Sequence, residues 1–428
     1  LNMTNKEIIT YIYKKRNSIK ENIDNSRMKT FLNYIDNPQD KLKFIHIAGT
    51  NGKGSTTTMM ANVLKNSGYK VGKFISPFVI SFNERIQINN MFITDKELNE
   101  YIDILDPIIQ KMDKDNNAPV GFEIITAIAF MHFLNNNCDI VCLEVGLGGR
   151  LDPTNVISST ILSIITLIDF DHTELLGDTI EQIATEKCGI IKKDKVTITY
   201  PLQDKKALNV IRKFCLENNN KLYIPNLKLL DILKCNHSIN YFKYKGAFYK
   251  LNLIGEYQIY NALMVIVASN VLINLGYKIS FSAINTGLLD SEFPARLEKM
   301  KSPINTFIDG SHNLAGAKSL KNFLYEYRGK RNYAIISFTK GKDYEDFLKE
   351  ISSYFTEIIF VKYINDYKQS EDIKNLLECA KELEINAISF NTLNEAYNYV
   401  LEKNNVDLLL ITGSLYLASN FRDMLTKD

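Results

Sequence analysis

The segment Gly49-Thr50-Asn51-Gly52-Lys53-Gly54-Ser55 constrains this chain more than any other. An apolar run, Phe44 to Ala48, precedes it, and Thr56 to Lys65 carries a helical pattern behind it. Glycines let the backbone turn where a side chain would clash. A strand, a glycine turn and a helix start in that order aim several backbone N–H groups at one spot, which suits phosphate. Lys53 is spaced to bridge β- and γ-phosphates, and the Ser55 hydroxyl to ligate Mg2+. Gly54 separates the lysine from the hydroxyl residue, so this is not the common G-x-x-x-x-G-K-[ST]. The plainer alternative is a tight turn with an incidental lysine.

An α/β fold is the expected consequence, and the rest of the chain agrees with it. Candidate strands are Val71 to Ile75, Ile140 to Val145, Ile161 to Leu167 and Val196 to Tyr200, with helical stretches at Thr94 to Lys111 and Ile124 to Phe133. Strands separated by helices imply a parallel sheet covered on both faces. A second series holds Asn305 to Asp309, Tyr333 to Phe338, Ile358 to Val361, Ala387 to Phe390 and Val406 to Thr412, with helices at Ala315 to Tyr327 and Tyr344 to Tyr354. A chain of 428 residues exceeds one ordinary core. Two doubly wound domains are expected, residues 1–295 and 296–428, parted near Ser291-Glu292-Phe293-Pro294 where a proline interrupts the pattern. Leu222 to Leu253 is less periodic and is expected to form short strands or a hairpin.

Composition narrows the partners. The 51 basic and 49 acidic side chains leave a net charge of +2, which gives no strong field for nucleic acid or an anionic membrane. No uninterrupted apolar run reaches about 18 residues, so no membrane-spanning helix is expected. Leu1 to Glu7 lacks the basic end and apolar run of a secretory signal, and Met3 is the expected natural start, with Leu1 and Asn2 as a remnant ahead of it. Six cysteines without C-x-x-C pairs read as reduced thiols. A cytoplasmic, monomeric protein is the expectation.

Four further motifs carry chemistry. Leu143-Glu144-Val145-Gly146-Leu147-Gly148-Gly149-Arg150-Leu151-Asp152 ends a strand in a carboxylate and opens into a glycine loop. Parallel strands present ligand-binding groups at their carboxyl ends, and hard oxygens suit Mg2+; a capping or salt-bridged Glu144 is the alternative. Asp169-Phe170-Asp171-His172 follows another strand, so His172 is either a packed residue or a metal or phosphate contact. Lys187, in Glu186-Lys187-Cys188-Gly189, reads on spacing alone as a lysine complementing a helix C-terminus. Ile308-Asp309-Gly310-Ser311-His312-Asn313 ends the first strand of the second series, either as an Asx-type turn or with Asp309 and His312 facing a ligand.

Together these motifs, with Gly413-Ser414-Leu415-Tyr416, resemble the folylpolyglutamate synthase/dihydrofolate synthase family of Mur-ligase-like ATP-dependent amide ligases, from about Lys6 to Leu425. The resemblance implies an N-terminal Mur-ligase-like P-loop ATPase domain that also holds folate, and a smaller C-terminal Rossmann-like glutamate-ligase domain. It implies a ligase, a tetrahydrofolate synthase and dihydrofolate synthase, that joins L-glutamate to folate or dihydropteroate through an acyl phosphate. Asn51, Gly52, Lys53 and Gly54 would hold ATP phosphates, and Ser55, Glu144 and His172 one Mg2+, with Ser76 near a second. Lys187 matches a lysine that the family carries as a carbamate, an anionic oxygen ligand for the metal. Asn261, Arg296 and Asp309 match nucleotide contacts, with Arg296 and Asp309 across the domain junction. Val120, Gly121, Phe122, Glu123, Arg150 and Asp152 correspond to the pterin-side pocket, and His312 and Ser414 to glutamate placement. Closure of the smaller domain would keep the acyl phosphate from water. Phe78, in Ser76-Pro77-Phe78-Val79, stands where relatives commonly carry histidine; Cys188 and Leu314 replace the usual alanine and proline. A ligase adding an amino acid to a cell-wall precursor is the nearest rival.

Overall fold

The computed structural model describes residues 3–14, 24–79, 81–235, 239–365 and 368–426. Leu1 and Asn2, expected as a remnant ahead of Met3, lie outside them. Two compact units are present: Leu1–Leu230 with Tyr244–Tyr249 and Tyr260–Ser291, and Asp231–Lys243 with Lys250–Ile259 and Glu292–Asp428. The second unit therefore also draws on residues well before 296.

Among the described residues the first unit is built on an eight-stranded sheet. Its strands are β1 (Phe44–Ala48), β2 (Val71–Phe74), β3 (Ile86–Ile88), β4 (Met91–Phe92), β5 (Ile140–Glu144), β6 (Thr160–Ile165), β7 (Val196–Thr199) and β8 (Lys221–Tyr223). The order is β4-β3-β2-β5-β1-β6-β7-β8. All neighbours from β2 to β8 run parallel, while β3 and β4 extend the edge antiparallel. The chain moves toward β2 and back to β5 on one side of β1, then to β6 on the other, so the carboxyl end of β1 is the topological switch point where such sheets bind ligands. β1 and β5 are buried at every residue, as strands covered on both faces must be.

The covering helices are α1 (Asn5–Lys14), α2 (Ser26–Asn33), α3 (Lys53–Asn66), α4 (Asp95–Lys114), α5 (Gly121–Asn135), α6 (Thr173–Leu176), α7 (Ile180–Cys188), α8 (Lys205–Glu217), α9 (Glu256–Asn274) and α10 (Phe281–Leu289). Thr94 and Glu97 form a capping box that starts α4 one residue beyond Thr94. Phe31, Phe44, Phe74, Phe130 and Leu143 share one core cluster, and Ala48, Ile165, Ile183 and Ile211 another. Helix α10 meets α3 backbone to backbone: a Cβ on Gly287 would lie 2.6 Å from the Val63 Cα. By length and composition α9 is apolar enough to cross a membrane, although Asn261, Ser269 and Asn270 interrupt it; 72% of that stretch is buried inside the protein, as in a core helix.

One difference from the sequence reading has a local cause, and the expectation of short strands or a hairpin over Leu222 to Leu253 is met. The strand expected to reach Leu167 stops at Ile165, because the Leu167 carbonyl accepts the N–H groups of Thr50 and Asn51 instead. Between Leu222 and Leu253 lie β8's end and a three-stranded sheet of β9 (Leu230–Cys235), β10 (Asn240–Tyr244) and β11 (Ala247–Leu251), ordered β11-β10-β9. Lys245 and Gly246, both at positive φ, make the two-residue turn between β10 and β11.

In the second unit, β12 (Glu298–Lys299), β13 (Thr306–Ile308), β14 (Asn332–Ile336), β15 (Glu357–Phe360), β16 (Ala387–Ser389) and β17 (Leu408–Thr412) form a sheet ordered β12-β13-β17-β14-β15-β16. It is parallel except for β12. Helices α11 (Leu314–Leu324), α12 (Glu345–Ile351), α13 (Ile373–Glu382), α14 (Leu393–Leu401) and α15 (Leu415–Thr426) alternate with these strands. Its core gathers Phe307, Phe323, Phe338, Phe347, Phe360 and Leu410, with Ile254 and Tyr257 packed against it.

Candidate active site

The phosphate loop leaves β1 at Gly49 and enters α3 at Lys53. Gly49 and Gly52 have φ of 152° and 88°. A Cβ on Gly49 would sit 1.8 Å from the Thr166 hydroxyl, and one on Gly52 2.6 Å from the Asn261 Oδ1. These two positions accept nothing larger than glycine. The hydroxyl of Thr50 bonds the carbonyl and N–H of Asp169 (2.9 and 3.0 Å), which fixes the loop to the segment after β6. Helix α3 starts at Lys53, so the N–H groups of its first turn point toward this loop, since a helix start has no intrahelical acceptors for them. The Asn51 Nδ2 is enclosed without a hydrogen-bond partner. A cradle of this shape, with an unsatisfied donor and a helix start, fits an anionic phosphate chain.

Two lysines converge on it. The Lys53 Nζ donates to the carbonyls of Gly49 (3.1 Å) and Thr50 (3.2 Å). Lys187, buried in the last turn of α7, donates to the same Gly49 carbonyl at 2.9 Å. Burial, and then the charge of Lys53, bring the Lys187 amine down to about 7, against the opposing pull of Asp171 and Asp152. Lys187 does stand in the last turn of α7, where spacing alone put it, and its amine is turned inward to the Gly49 carbonyl.

Glu144 ends β5 and is 3% exposed; its Oε2 accepts the Ser76 N–H at 3.1 Å. β2 and β5 are neighbours, so their carboxyl ends place Ser76 and Glu144 together. Ser55 is buried. His172 caps the short α6 at φ 50°, with its ring half-exposed and Nε2 3.8 Å from Asp171. Among the described residues no three His, Cys, Asp or Glu side chains gather as a metal cluster. The Glu144 carboxylate and the Ser55 hydroxyl are hard oxygen donors of the kind that suit Mg2+ beside phosphates, whereas the His172 imidazole is a softer donor.

The glycine loop after β5 lies against the end of α7. A Cβ on Gly149 would be 2.7 Å from the Glu186 carbonyl, and one on Gly189 2.4 Å from the Arg150 Cα. The Arg150 guanidinium, half-exposed, bonds Glu186 Oε1 at 2.8 and 3.0 Å. Asp152 is buried and clamps its own loop, accepting the N–H groups of Leu147 (2.7 Å) and Thr154 (3.0 Å); burial pushes its carboxyl up against these lowering contacts. The Phe122 ring covers Gly146, where a Cβ would be 2.4 Å from it. Val120 and Gly121 begin α5, and Glu123 is fully buried, bonded to the Val120 N–H (2.8 Å) and to Arg27 (2.7 Å). Its carboxylate stands inside the wall of this region, and Arg27 is a partner that sequence reading missed, since nothing in a lone arginine near a helix start signals an ion pair 96 residues away.

In the second unit the Asp309 carboxylate accepts the N–H groups of Leu297 (2.9 Å) and Ser311 (2.8 Å). This holds Arg296 between Ala295 and Leu297, both at positive φ, with its guanidinium 5.8 Å from the Phe293 ring centre. His312 bonds the Gly310 carbonyl at 3.1 Å, and the buried Ser414 accepts the Tyr416 N–H at 3.1 Å. The Gly413 N–H donates to Ser311, so the loops after β13 and β17 lie side by side.

Residues 47–269 match the Mur ligase middle domain, and 295–424 the dihydrofolate synthetase C-terminal domain. The dihydrofolate synthase/folylpolyglutamate synthase of Bacillus subtilis is 33% identical over 420 residues, spanning 93% of this chain and 94% of that one. The chain belongs to the dihydrofolate synthase/folylpolyglutamate synthase family. The crystal structure of a Thermotoga maritima folylpolyglutamate synthase superposes with a TM-score of 0.84 at 32% identity, covering 99% of this chain and 96% of that one. A Mycobacterium tuberculosis folylpolyglutamate synthase complexed with ADP and AMPPCP gives 0.85 at 27%, covering 95% and 96%. The match to the dihydrofolate synthetase C-terminal domain separates the family from cell-wall Mur ligases, which are more distant relatives.

Proposed function

We propose that this chain is an ATP-dependent ligase that joins the amine of L-glutamate to the carboxylate of a folate or of dihydropteroate, acting on both as a tetrahydrofolate synthase and dihydrofolate synthase. The observation that carries the reading is the phosphate loop with Lys53 and Lys187 meeting on the Gly49 carbonyl, in a chain of this family. A carboxylate is a poor acyl donor because its leaving group would be oxide. Transfer of the ATP γ-phosphoryl onto one carboxylate oxygen makes an acyl phosphate and ADP. The glutamate amine then attacks the carbonyl carbon, loses a proton and expels inorganic phosphate.

Phosphoryl transfer needs positioning and charge neutralisation more than covalent help. In this reading Asn51, Gly52, Lys53, Gly54 and Asn261 hold the phosphates, and Lys53 follows the charge as it moves. Ser55, Glu144 and His172 would hold one Mg2+, with Ser76 near a second, and such ions would supply charge neutralisation for phosphate oxygens. Glu144 supports this, because a buried carboxylate at the end of β5, beside the strand that leads into the phosphate loop, is stabilised by a cation. Lys187 is a carbamate in this reading, formed when its neutral amine adds CO2 and releases a proton; burial favours that neutral amine. Val120 to Glu123, Arg150 and Asp152 shape the pterin side. In the second unit, Arg296 and Asp309 serve the nucleotide, and His312 and Ser414 serve glutamate. Residues 1–295 would be the ATP- and folate-binding domain and 296–428 the glutamate-ligase domain. The reading places a monomeric enzyme in the cytoplasm acting on small molecules, and six unpaired thiols suit a reducing compartment.

Mass spectrometry of products formed with ATP, Mg2+ and L-glutamate tests it. A glutamyl amide from both tetrahydrofolate and dihydropteroate is expected; product from neither, with ATP hydrolysed regardless of glutamate, would overturn the assignment.

A further inference from the structure

Arg27 and Asn25 at the start of α2 reach two separate parts of the region around Phe122. The Arg27 Nε donates to Glu123 Oε2 at 2.7 Å, with side chains 9% and 0% exposed. The same oxygen accepts the Val120 N–H, so one carboxylate both caps α5 and ties it to α2. Glu123 Oε1 is buried without a hydrogen-bond partner, which makes Arg27 the group that balances this charge among the described residues. From the other side, α1 abuts the start of α5: a Cβ on Gly121 would be 2.8 Å from the Ile12 carbonyl. Asn25, at φ 58° and 4% exposed, donates from Nδ2 to the Asp152 carbonyl at 3.2 Å. Asp152 in turn holds the Leu147 N–H. Between these two attachments lies the Phe122 ring, over Gly146 and 5.8 Å from the Phe74 ring.

We propose that the start of α2 is a brace for the acceptor pocket, with Arg27 a positioning residue that acts through Glu123 to hold Phe122 against the glycine loop after β5. This rests on the reading that Phe122 and that loop receive the pteroyl part of the substrate. Arg27 touches neither ATP nor glutamate in this account, so its loss acts on one substrate only. A buried carboxylate stripped of its partner shifts to find another or to reach water, and the α5 start moves with it.

The test compares Arg27→Met, Arg27→Lys and the double variant Arg27→Met/Glu123→Met with the wild type. Steady-state KM for the pteroate acceptor and for ATP is measured, together with direct acceptor binding by fluorescence quenching without ATP. Arg27→Met should raise the acceptor KM about tenfold or more, as a small misplacement of a positioning group does, and leave the ATP KM within about twofold. Arg27→Lys, which keeps the charge, should recover most of the loss. The double variant removes both buried charges and so folds stably, but it leaves the Val120 N–H without its acceptor; its acceptor KM should stay raised. An unchanged acceptor KM in Arg27→Met, or acceptor and ATP values rising together, would overturn the brace. A wild type that binds no pteroate acceptor would overturn the functional reading and the brace together, whereas equal binding by wild type and variant sinks the brace alone.

Discussion

At the scale of single residues, two amines share one carbonyl. Lys53 and Lys187 both donate to Gly49, yet they differ in what surrounds them: Lys187 is buried, and its amine falls to about 7. Replacing Lys53 with Ala should cut kcat by at least about a hundredfold, the scale of losing one well-placed electrostatic group, with an unchanged melting temperature. A near-normal rate would remove Lys53 from the mechanism. Arginine at position 187 keeps a cation but cannot become a carbamate. Lys187→Arg should therefore be inactive, and the carbamate carbon signal that carbon-13 bicarbonate produces in the wild type by NMR should vanish; a signal that persists would place the carbamate elsewhere. The phosphate loop was legible in the sequence because it is local: its glycines, lysine and hydroxyl residue stand in seven consecutive positions. The environment of Lys187 was not, because it is set by Gly49, 138 residues away.

Secondary-structure elements carry a different kind of prediction. Lys73 sits in β2 with 6% exposure, bonded to Asn90 Oδ1 at 3.2 Å. Burial lowers its amine from 10.5 to about 8. Between those values the unfolded chain binds more protons than the folded one, so stability rises with pH through that window; below it the folded state carries the full penalty. Lys73→Met should gain about 2 kcal/mol in urea unfolding near neutral pH, with the gain shrinking as pH rises above about 8 and vanishing above 10.5. No gain near neutral pH, or one that does not vary with pH, would contradict the burial argument. Gly287→Ala should lose about 1–3 kcal/mol, since α10 and α3 touch through backbone and cannot admit a methyl group without moving apart; unchanged stability would show that they can.

The parallel strands were readable because runs such as Ile140 to Leu143 are apolar throughout, the mark of a strand covered on both faces. The edge hairpin of β3 and β4 was not, although Asn89 and Asn90 at positive φ are a turn signal for it. Its strands are only three and two residues long, too short to show an alternating pattern.

For the whole molecule, the division into units matters more than a single cut point. The core of the second unit includes Ile254 and Tyr257, which precede Pro294 by dozens of residues. A fragment starting at residue 292 should then unfold at lower urea, and bind more of an apolar dye, than one starting at residue 231; equal midpoints would mean that the earlier residues add nothing to that core. The sequence placed the boundary by a proline and a change of pattern, and such signals mark where a chain turns without showing which distant segments pack together.

The central claim is that the phosphate loop of this chain activates a carboxylate, and one isotope experiment addresses it directly. Dihydropteroate or tetrahydrofolate labelled with oxygen-18 in the carboxylate is turned over with ATP, Mg2+ and L-glutamate, and the released phosphate is weighed by mass spectrometry. An acyl phosphate passes one substrate oxygen to phosphate for each amide formed, so one labelled oxygen per phosphate is the predicted result. Unlabelled phosphate accompanying the amide product would contradict it.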